Sequence, residues 1–208
     1  MEDVLDLYSE PYNEQFPVVC FDETSKQLVQ ESRPRLAAAS GKLERFDYEY
    51  QRNGVANLFM ICEPKRGWRH VEITERHTKR NFAEQMKWLV DEAFPGAEKV
   101  RLVMDNLATH SRGAVYERFE PSEARRILRR LEFHFTPKHA SWLNMAEIEL
   151  SVLARQCLSR RIPDKEKLRR EVKAFEEKRN AAKAKIEWKM TTADARQKLS
   201  RHYPSTSE

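Results

Sequence analysis

Residues 100–110 read Val-Arg-Leu-Val-Met-Asp-Asn-Leu-Ala-Thr-His, and this stretch decides which fold the chain adopts. Residues 100–104 form a short apolar run typical of a buried strand. The run ends on Asp105, followed by Asn106 and, five residues after the Asp, by His110. A carboxylate at the end of a buried strand is costly unless it is paired, and open sheets bind ligands at the carboxyl ends of strands. The alternative is that Asp105 and Asn106 begin a turn or cap a helix.

A second acid closes another apolar run near the N-terminus. Residues 18–21 read Val-Val-Cys-Phe, and Asp22, Glu23 and Thr24 follow. Because side chains alternate along a strand, Asp22 shares a face with Val18 and Cys20, where a core side chain is expected. Glu23 points to the opposite face, and we expect it to be exposed.

The third acid lies on a helix predicted over residues 142–158. One face of this helix is apolar except for a single carboxylate and consists of Leu143, Ala146, Glu147, Leu150, Ala154 and Cys157. Glu149 lies well round from this face, so we expect it to be solvated. Glu147 is therefore predicted to be an acid on the core-facing side.

Strands and helices alternate between these acids. Residues 26–45 read as a loop or an irregular strand, and Asn53-Gly54 indicates a hairpin turn. Further strands are predicted over residues 46–51, 55–62, 68–74 and 131–136. Further helices are predicted from Thr78 to Ala93, over residues 111–130 with a break near Pro121, over residues 165–185, and after a cap at Thr191–Asp194.

The composition describes a globular protein with a basic C-terminal third. The chain has 208 residues, and its three cysteines (Cys20, Cys62 and Cys157) are far apart, so we predict packed thiols rather than disulfides or a zinc site.

No apolar run approaches the roughly 18–20 residues that span a bilayer, and no secretory signal is visible, so we expect a cytoplasmic, nucleoid-associated protein. Residues 155–201 hold 16 Lys/Arg against 7 Asp/Glu, whereas the remainder holds 22 against 26. This asymmetry indicates either a polyanion partner or a solvated helix face with internal ion pairs.

Three carboxylates brought together would repel one another unless cations lay between them. Mg²⁺ prefers oxygen ligands, and two such ions about 3.5–4 Å apart activate water and stabilise the leaving oxygen of a phosphodiester. If the helix packs beside the sheet, Glu147 comes near the ends of both strands. The residues therefore point to metal-dependent phosphodiester chemistry, with a basic surface to hold the DNA backbone.

Three motifs resemble the catalytic domain of DDE transposases, specifically bacterial insertion-sequence transposases related to mariner elements. They are residues 18–24 (VVCFDET), residues 103–106 (VMDN) with His110, and residues 141–147 (SWLNMAE). Residues 48–59 also have the look of this family. The resemblance covers roughly residues 15–160, with a family-like tail to about Pro204.

The resemblance implies an α/β, RNase H-like fold, with a mixed five-stranded sheet flanked by helices and a C-terminal helical extension. The expected domains are a lead-in (1–16), the catalytic domain (17–160) and a basic helical extension (161–208). The resemblance also implies that Asp22, Asp105 and Glu147 are the metal ligands. They are expected to bind two ions of Mg²⁺ or Mn²⁺, which serve cleavage at transposon ends and strand transfer into target DNA.

Other residues have supporting roles in this interpretation. Asn106 orients a ligand or water, and His110 lies near phosphate or a carboxylate, although a turn amide and a packed imidazole are the ordinary alternatives. Asn144 is predicted to cap the helix of Glu147. Charge and position select a set of candidate DNA-phosphate contacts, which are Arg155, Arg160, Arg161, Lys165, Arg169 and Arg170. Transposition joins two ends, so we expect a homodimer on double-stranded DNA.

The sequence departs from the family pattern in two places. Met145-Ala146 occupy the space where the family often has a proline, which matters little for a metal. Family members also carry a helix-turn-helix region ahead of the catalytic domain, whereas Met1 lies only about twenty residues before Asp22. We therefore expect a truncated or split gene product. The alternatives are an RNase H-like repair nuclease or resolvase, and a truncated, non-catalytic remnant that binds DNA.

Overall fold

A five-stranded sheet forms the centre of the protein. The structure is a computed structural model that describes residues 1–33, 39–42, 48–200 and 203. The strands are β1 (Val18–Glu31), β2 (Tyr50–Glu63), β3 (Trp68–Thr74), β4 (Val100–Met104) and β5 (Leu131–Phe135). Their order is β3-β2-β1-β4-β5, with β3, β2 and β1 antiparallel and β1, β4 and β5 parallel. This mixed sheet confirms the predicted fold class.

Helices cover both faces of the sheet. They are α1 (Glu2–Ser9), α2 (Lys79–Trp88), α3 (Arg112–Arg118), α4 (Pro121–Arg129), α5 (Met145–Leu153), α6 (Lys165–Ala181) and α7 (Thr192–Lys198). Local sequence explains the helix ends: Thr78 caps α2, Pro121 starts α4, and Thr191 caps α7 as predicted. No helix in the described part of the chain is long and apolar enough to cross a membrane.

Alternation along the strands produces two hydrophobic cores. Val18 and Cys20 of β1 and Val103 of β4 face a core shared with α1, α5, α6 and α7, here called the α5-side core. Val19 and Phe21 face the opposite core, shared with α2, α3 and α4, here called the α2-side core. The three free cysteines are all buried in the α5-side core, which confirms them as packed thiols. The helices α6 and α7 follow the predicted domain boundary at residue 160, and both contribute side chains to the α5-side core. The division into three domains stays a prediction.

The predicted hairpin at Asn53-Gly54 is wrong, because β2 runs straight through this dipeptide. Gln27 pairs with Val55 but Val29 pairs with Arg52, so β2 carries one extra residue here. Gly54 has φ +89°. A β-bulge and a tight hairpin both need such a positive φ, which is why the dipeptide signal misled.

Two strand boundaries also differ from the prediction. The loop or irregular strand predicted over residues 26–45 continues β1 as far as Glu31. The strand predicted over residues 46–51 begins only at Tyr50. Residues 34–38 and 43–47 lie outside the described residues. One long antiparallel pair, β1 with β2, therefore stands where the sequence predicted a short first strand and a hairpin at Asn53-Gly54.

Gly67, in the turn between β2 and β3, makes a close backbone contact that leads to a stability prediction. Its φ is +73°, and a Cβ there would lie 2.5 Å from the backbone C and O of Lys183. Strain and overpacking each cost about 1–3 kcal/mol, so Gly67→Ala is expected to lower the free energy of unfolding by about 3 kcal/mol. Urea unfolding measures this. Gly41→Ala is the matched control, because Gly41 has the same φ but no atom within 4 Å of its would-be Cβ. Equal losses in both variants would refute the close contact.

Glu63, at the end of β2, is a buried carboxylate whose removal is expected to stabilise the protein. Its side chain is 1% exposed, and neither oxygen has a hydrogen-bond partner among the described residues. Burial raises the pKa of Glu63 to about 7, although Arg66, 3.7 Å away, lowers it. The folded state therefore holds this proton at a pH where the unfolded chain has released it, and Glu63 costs stability as the pH rises from about 4.5 to 7.

Glu63→Gln should accordingly become more stable than the wild type as the pH rises through this window, by up to about 3 kcal/mol at neutral pH. Denaturant unfolding at pH 4, 5, 6, 7 and 8 measures the difference. The exposed Glu92→Gln provides the control and should show no such trend. A pH-independent difference between Glu63→Gln and the wild type would contradict the prediction.

Candidate active site

Asp22 and Asp105 lie on neighbouring parallel strands at the same level. Val18, Val19 and Cys20 of β1 pair with residues 101, 102 and 103 of β4. Continuing this register by two residues places Asp22 beside Asp105, which directly follows β4. Side chains at one level of a parallel pair point to the same face, so both acids belong at the same edge of the sheet. Asp22 is half-buried and the Asp105 side chain is 32% exposed.

Asn144 joins this edge to the helix that carries Glu147. Its side-chain oxygen accepts a hydrogen bond from the Ala146 amide at 3.1 Å, which caps α5 as predicted. Its amide nitrogen donates to the Phe21 carbonyl at 2.8 Å and, more weakly, to Oδ2 of Asp22 at 3.4 Å. Asn144 is fully buried. The start of α5 is therefore fastened to β1 immediately beside Asp22.

Burial and neighbouring acids both favour the protonated form of Asp22. Burial, with smaller contributions from the charges of Glu147 and Asp105, raises the pKa of Asp22 to about 7, against a hydrogen bond from the Glu23 amide. The other two acids singled out from the sequence are thus close enough to Asp22 to repel its charge. This repulsion is the electrostatic condition that a bound cation relieves.

The predicted face of the helix is wrong, because Glu147 is exposed and Glu149 is fully buried. Leu143 belongs to a 3₁₀ turn (Ser141–Leu143), and the regular helix begins only at Met145, after the Asn144 cap. A helical pattern counted from Leu143 therefore has the wrong phase. The Asn144 cap was the signal that could have corrected it.

Glu149 forms a buried ion-pair network with two arginines from other elements. Its Oε1 lies 3.2 Å from Nη2 of Arg69 on β3 and accepts a 2.7 Å hydrogen bond from Nη2 of Arg179 on α6. Its Oε2 accepts from Nε of Arg179 at 3.0 Å. The Arg69 side chain is only 1% exposed. This network connects α5 to the edge strand β3 and to α6, on the side of α5 away from Glu147.

His110 is buried between two aromatic rings and two carboxylates. Phe21 and Phe82 pack against its ring, with centroids 5.3 and 5.0 Å away. Nδ1 donates to Oδ1 of Asp105 at 2.7 Å, and Nε2 lies 2.9 Å from Oε2 of Glu23. Burial lowers the pKa of His110, but the contacts to Asp105 and Glu23 outweigh it and raise the pKa to about 9. Both descriptions made from the sequence, a packed imidazole and a neighbour of a carboxylate, therefore apply.

Glu23 was predicted to be exposed, and this is wrong, because its side chain is only 12% exposed. The alternation along β1 does turn Glu23 to the face opposite Asp22. That face, however, is covered by the α2-side core, and the partner that compensates the buried charge is His110, distant in sequence. No local signal distinguishes this glutamate from a solvated one.

Asn106 is exposed at the mouth of a groove that starts at Asp105. The groove has a volume of about 450 Å³, and its lining includes Leu107, Lys138 and His139. Both Lys138 and His139 are exposed, so the groove presents basic side chains next to the acids.

The donor set fits a divalent cation, although the side chains do not yet converge on one point. Asp22, Asp105 and Glu147 offer hard carboxylate oxygens, and Oδ2 of Asp105 remains available because His110 occupies Oδ1. Within residues 1–33, 39–42 and 48–200, no three acid, imidazole or thiol groups are arranged to hold a metal ion as they stand. Side-chain rotation, in the first place of the exposed Glu147, is therefore needed to bind one.

The basic residues predicted to contact DNA fall into two groups. Arg160 pairs with Glu171 at 3.3 Å, Lys165 pairs with Glu75 at 2.6 Å, and Arg161 lies over the Tyr50 ring at 5.5 Å. The other three, all exposed, are Arg155, Arg169 and Arg170. The first group makes intramolecular contacts, and the second projects its charge into solvent.

A protein-family model matches most of the chain. The family model described as DDE superfamily endonuclease matches residues 17–169. No curated protein matches the chain. The Mos1 transposase paired-end complex with left transposon end is similar at 16% identity, over 90% of this chain and 61% of that chain, with a TM-score of 0.39. The Mos1 strand transfer complex is similar at 15% identity, over 89% and 60%, with a TM-score of 0.37. The chain thus spans about three fifths of the length of these two chains.

Proposed function

Because this chain belongs to the DDE superfamily endonuclease family, we propose that it is the catalytic domain of a transposase. In this proposal the domain cleaves DNA phosphodiester bonds at the ends of an insertion sequence and transfers the freed strands to target DNA. The observation that supports it is that the β1–β4 register sets Asp22 beside Asp105, while Asn144 fastens the start of the helix of Glu147 to β1, all within the matched residues.

Asp22, Asp105 and Glu147 would hold Mg²⁺ or Mn²⁺, most simply as two ions. When bound, such ions activate a water or hydroxyl nucleophile and stabilise the leaving oxygen. The chain itself presents the carboxylates: the β1–β4 register sets Asp22 beside Asp105, and the Asn144 cap fastens the helix of Glu147 to β1. The charges of Glu147 and Asp105 add to the effect of burial on the pKa of Asp22, and this repulsion supports a cation among these groups.

The supporting residues take different parts in this proposal. Asn144 orients α5 relative to Asp22, and His110 orients Asp105. Asn106, exposed beside Asp105 in the groove, is placed to contact a DNA strand or a water molecule. Two copies of the chain would act together on double-stranded DNA, because transposition joins two ends.

The test is nicking of supercoiled plasmid DNA by the whole chain in Mn²⁺. We expect metal-dependent nicking that Asp22→Asn, Asp105→Asn and Glu147→Gln each abolish, while Glu63→Gln, a buried acid on β2, retains it. Joining of the new 3′ ends to a second plasmid separates a transposase from a repair nuclease or resolvase, which would nick without joining. Nicking that survives Asp105→Asn would refute the role given to the three acids. Absence of nicking with both Mg²⁺ and Mn²⁺ would refute the proposed activity and favour a DNA-binding remnant.

DNA phosphates are proposed to contact Arg155, Arg169 and Arg170, with Arg160, Arg161 and Lys165 alongside them. Each phosphate contact releases counterions and adds about 0.9 to the slope of log affinity against log salt. Replacing Arg155, Arg169 and Arg170 together by alanine should therefore reduce this slope by up to about 3. Fluorescence anisotropy with duplex DNA between 50 and 200 mM salt measures it. The control replaces the distant Arg125 and Arg129 on α4, and a wild-type slope in the triple variant would contradict the assignment.

A further inference from the structure

Glu23 is a largely buried acid to which the proposed reaction assigns no role. It follows Asp22 on β1 but points to the opposite face of the sheet, into the α2-side core. Its side chain is only 12% exposed, and a carboxylate so far removed from water is costly unless another group compensates its charge. The compensating group is the imidazole of His110, 2.9 Å away.

His110 connects Glu23 to Asp105 through its two opposite ring nitrogens. Nδ1 donates to Asp105 Oδ1 at 2.7 Å, while Nε2 faces Glu23 Oε2. Nε2 and this glutamate oxygen form an ion pair at 2.9 Å, and neither atom makes a hydrogen bond within the described part of the chain. Phe21 and Phe82 pack on the ring, so the imidazole has little freedom to turn.

Asp105 needs such support because of where it lies. It follows the last residue of β4, in a segment without regular structure, and its side chain is 32% exposed. A carboxylate in this position is free to rotate unless something holds it. A ligand that must be ordered during binding loses affinity, whereas hydrogen bonds from outer groups orient it in advance.

We propose that Glu23 is a positioning residue that acts through His110 to hold the Asp105 carboxylate in one orientation. Oδ1 of Asp105 is bound to the imidazole, and Oδ2 is left for a divalent cation. Two consecutive residues of β1 thus serve the same site from opposite faces of the sheet, since Asp22 offers a ligand directly and Glu23 fixes the second ligand. This inference rests on the proposed metal-dependent function.

The first test is Mn²⁺ binding to the whole chain by calorimetry, with thermal unfolding measured in parallel. Outer-shell partners of metal ligands are typically worth about 10–100-fold in affinity, and Glu23→Ala is expected to weaken Mn²⁺ binding by this factor. Glu23→Gln should recover part of the loss, because its amide oxygen keeps a polar group opposite Nε2 of His110 although the charge is gone. Glu63→Gln is the matched control and should bind Mn²⁺ like the wild type.

The second test needs no metal and measures the hydrogen exchange of the His110 imidazole directly. In NMR spectra the Nδ1–H proton of His110, identified by its absence in His110→Gln, should be protected from exchange in the wild type and lose that protection in Glu23→Ala. If Glu23→Ala does not fold, Glu23→Gln carries both tests and should show smaller changes in the same directions.

The outcomes separate this inference from the proposed function. Wild-type Mn²⁺ affinity in a folded Glu23→Ala variant, with binding lost in Asp105→Asn, would overturn the positioning role and leave the metal site intact. Mn²⁺ binding that is unaffected by Asp105→Asn would overturn both. An exchange-protected His110 proton that persists in Glu23→Ala would overturn the positioning role whatever the metal results.

Discussion

Glu149→Ala is expected to lower the free energy of unfolding by about 3–5 kcal/mol, the usual cost of breaking a buried ion pair from one side. Arg69 is 1% exposed and would lose its carboxylate partner without gaining access to water. Arg179 would lose both of its hydrogen bonds to Glu149, and the contact between α5 and α6 would lose its polar centre. Urea unfolding at neutral pH measures the loss.

Glu147→Ala is the matched control for this experiment, because it removes the same side chain two residues earlier from the exposed side of the same helix. Surface substitutions of this kind change stability by about 0.5 kcal/mol or less. Replacing Glu149 by Gln should give an intermediate loss, since the amide oxygen still accepts from arginine while its charge is gone. A loss in Glu149→Ala as small as that in Glu147→Ala would show that the buried network contributes no net stability.

Asp22→Asn is expected to have opposite effects on metal binding and on stability. Mn²⁺ affinity should fall by at least about 100-fold, because a direct ligand matters more than the outer groups that are worth about 10–100-fold. The metal-free protein should become more stable at neutral pH, by roughly 1–3 kcal/mol, because a half-buried carboxylate beside two like charges is removed. Calorimetry and denaturant unfolding, on the same preparations, measure the two effects.

The direction of the pH dependence follows from the raised pKa of Asp22. The folded wild type retains this proton up to about pH 7 and the unfolded chain does not, so the advantage of Asp22→Asn should appear as the pH rises from about 4 to 7. Glu63→Gln is the informative comparison, because it should gain stability over a similar range but keep Mn²⁺ binding. Loss of stability in Asp22→Asn would contradict the repulsion among the acids.

Much of the fold could be predicted because its signals are local. The apolar runs ending at Asp22 and Asp105, the capping residues Thr78 and Thr191, and the alternation along β3 all act over a few residues. Order and spacing of the motifs around Asp22, Asp105 and Glu147 were enough to identify the DDE family, which the match over residues 17–169 confirms.

The errors arose where one local signal fits two structures. Asn53-Gly54 supplies the positive φ of a hairpin, but the same φ serves the bulge that lets β2 continue opposite β1. A helical period counted from Leu143 does not reveal that the helix starts two residues later, and this reversed the surroundings of Glu147 and Glu149.

The sequence by itself determined the strands, most of the helices, the family and the three acids of the candidate site. Only the tertiary structure decided which charged residues are buried and what compensates them. Glu23 meets His110 across two strands, and Glu149 meets Arg69 and Arg179 across three elements. Burial of a charge depends on partners distant in sequence, and periodicity within one helix or strand carries no information about them.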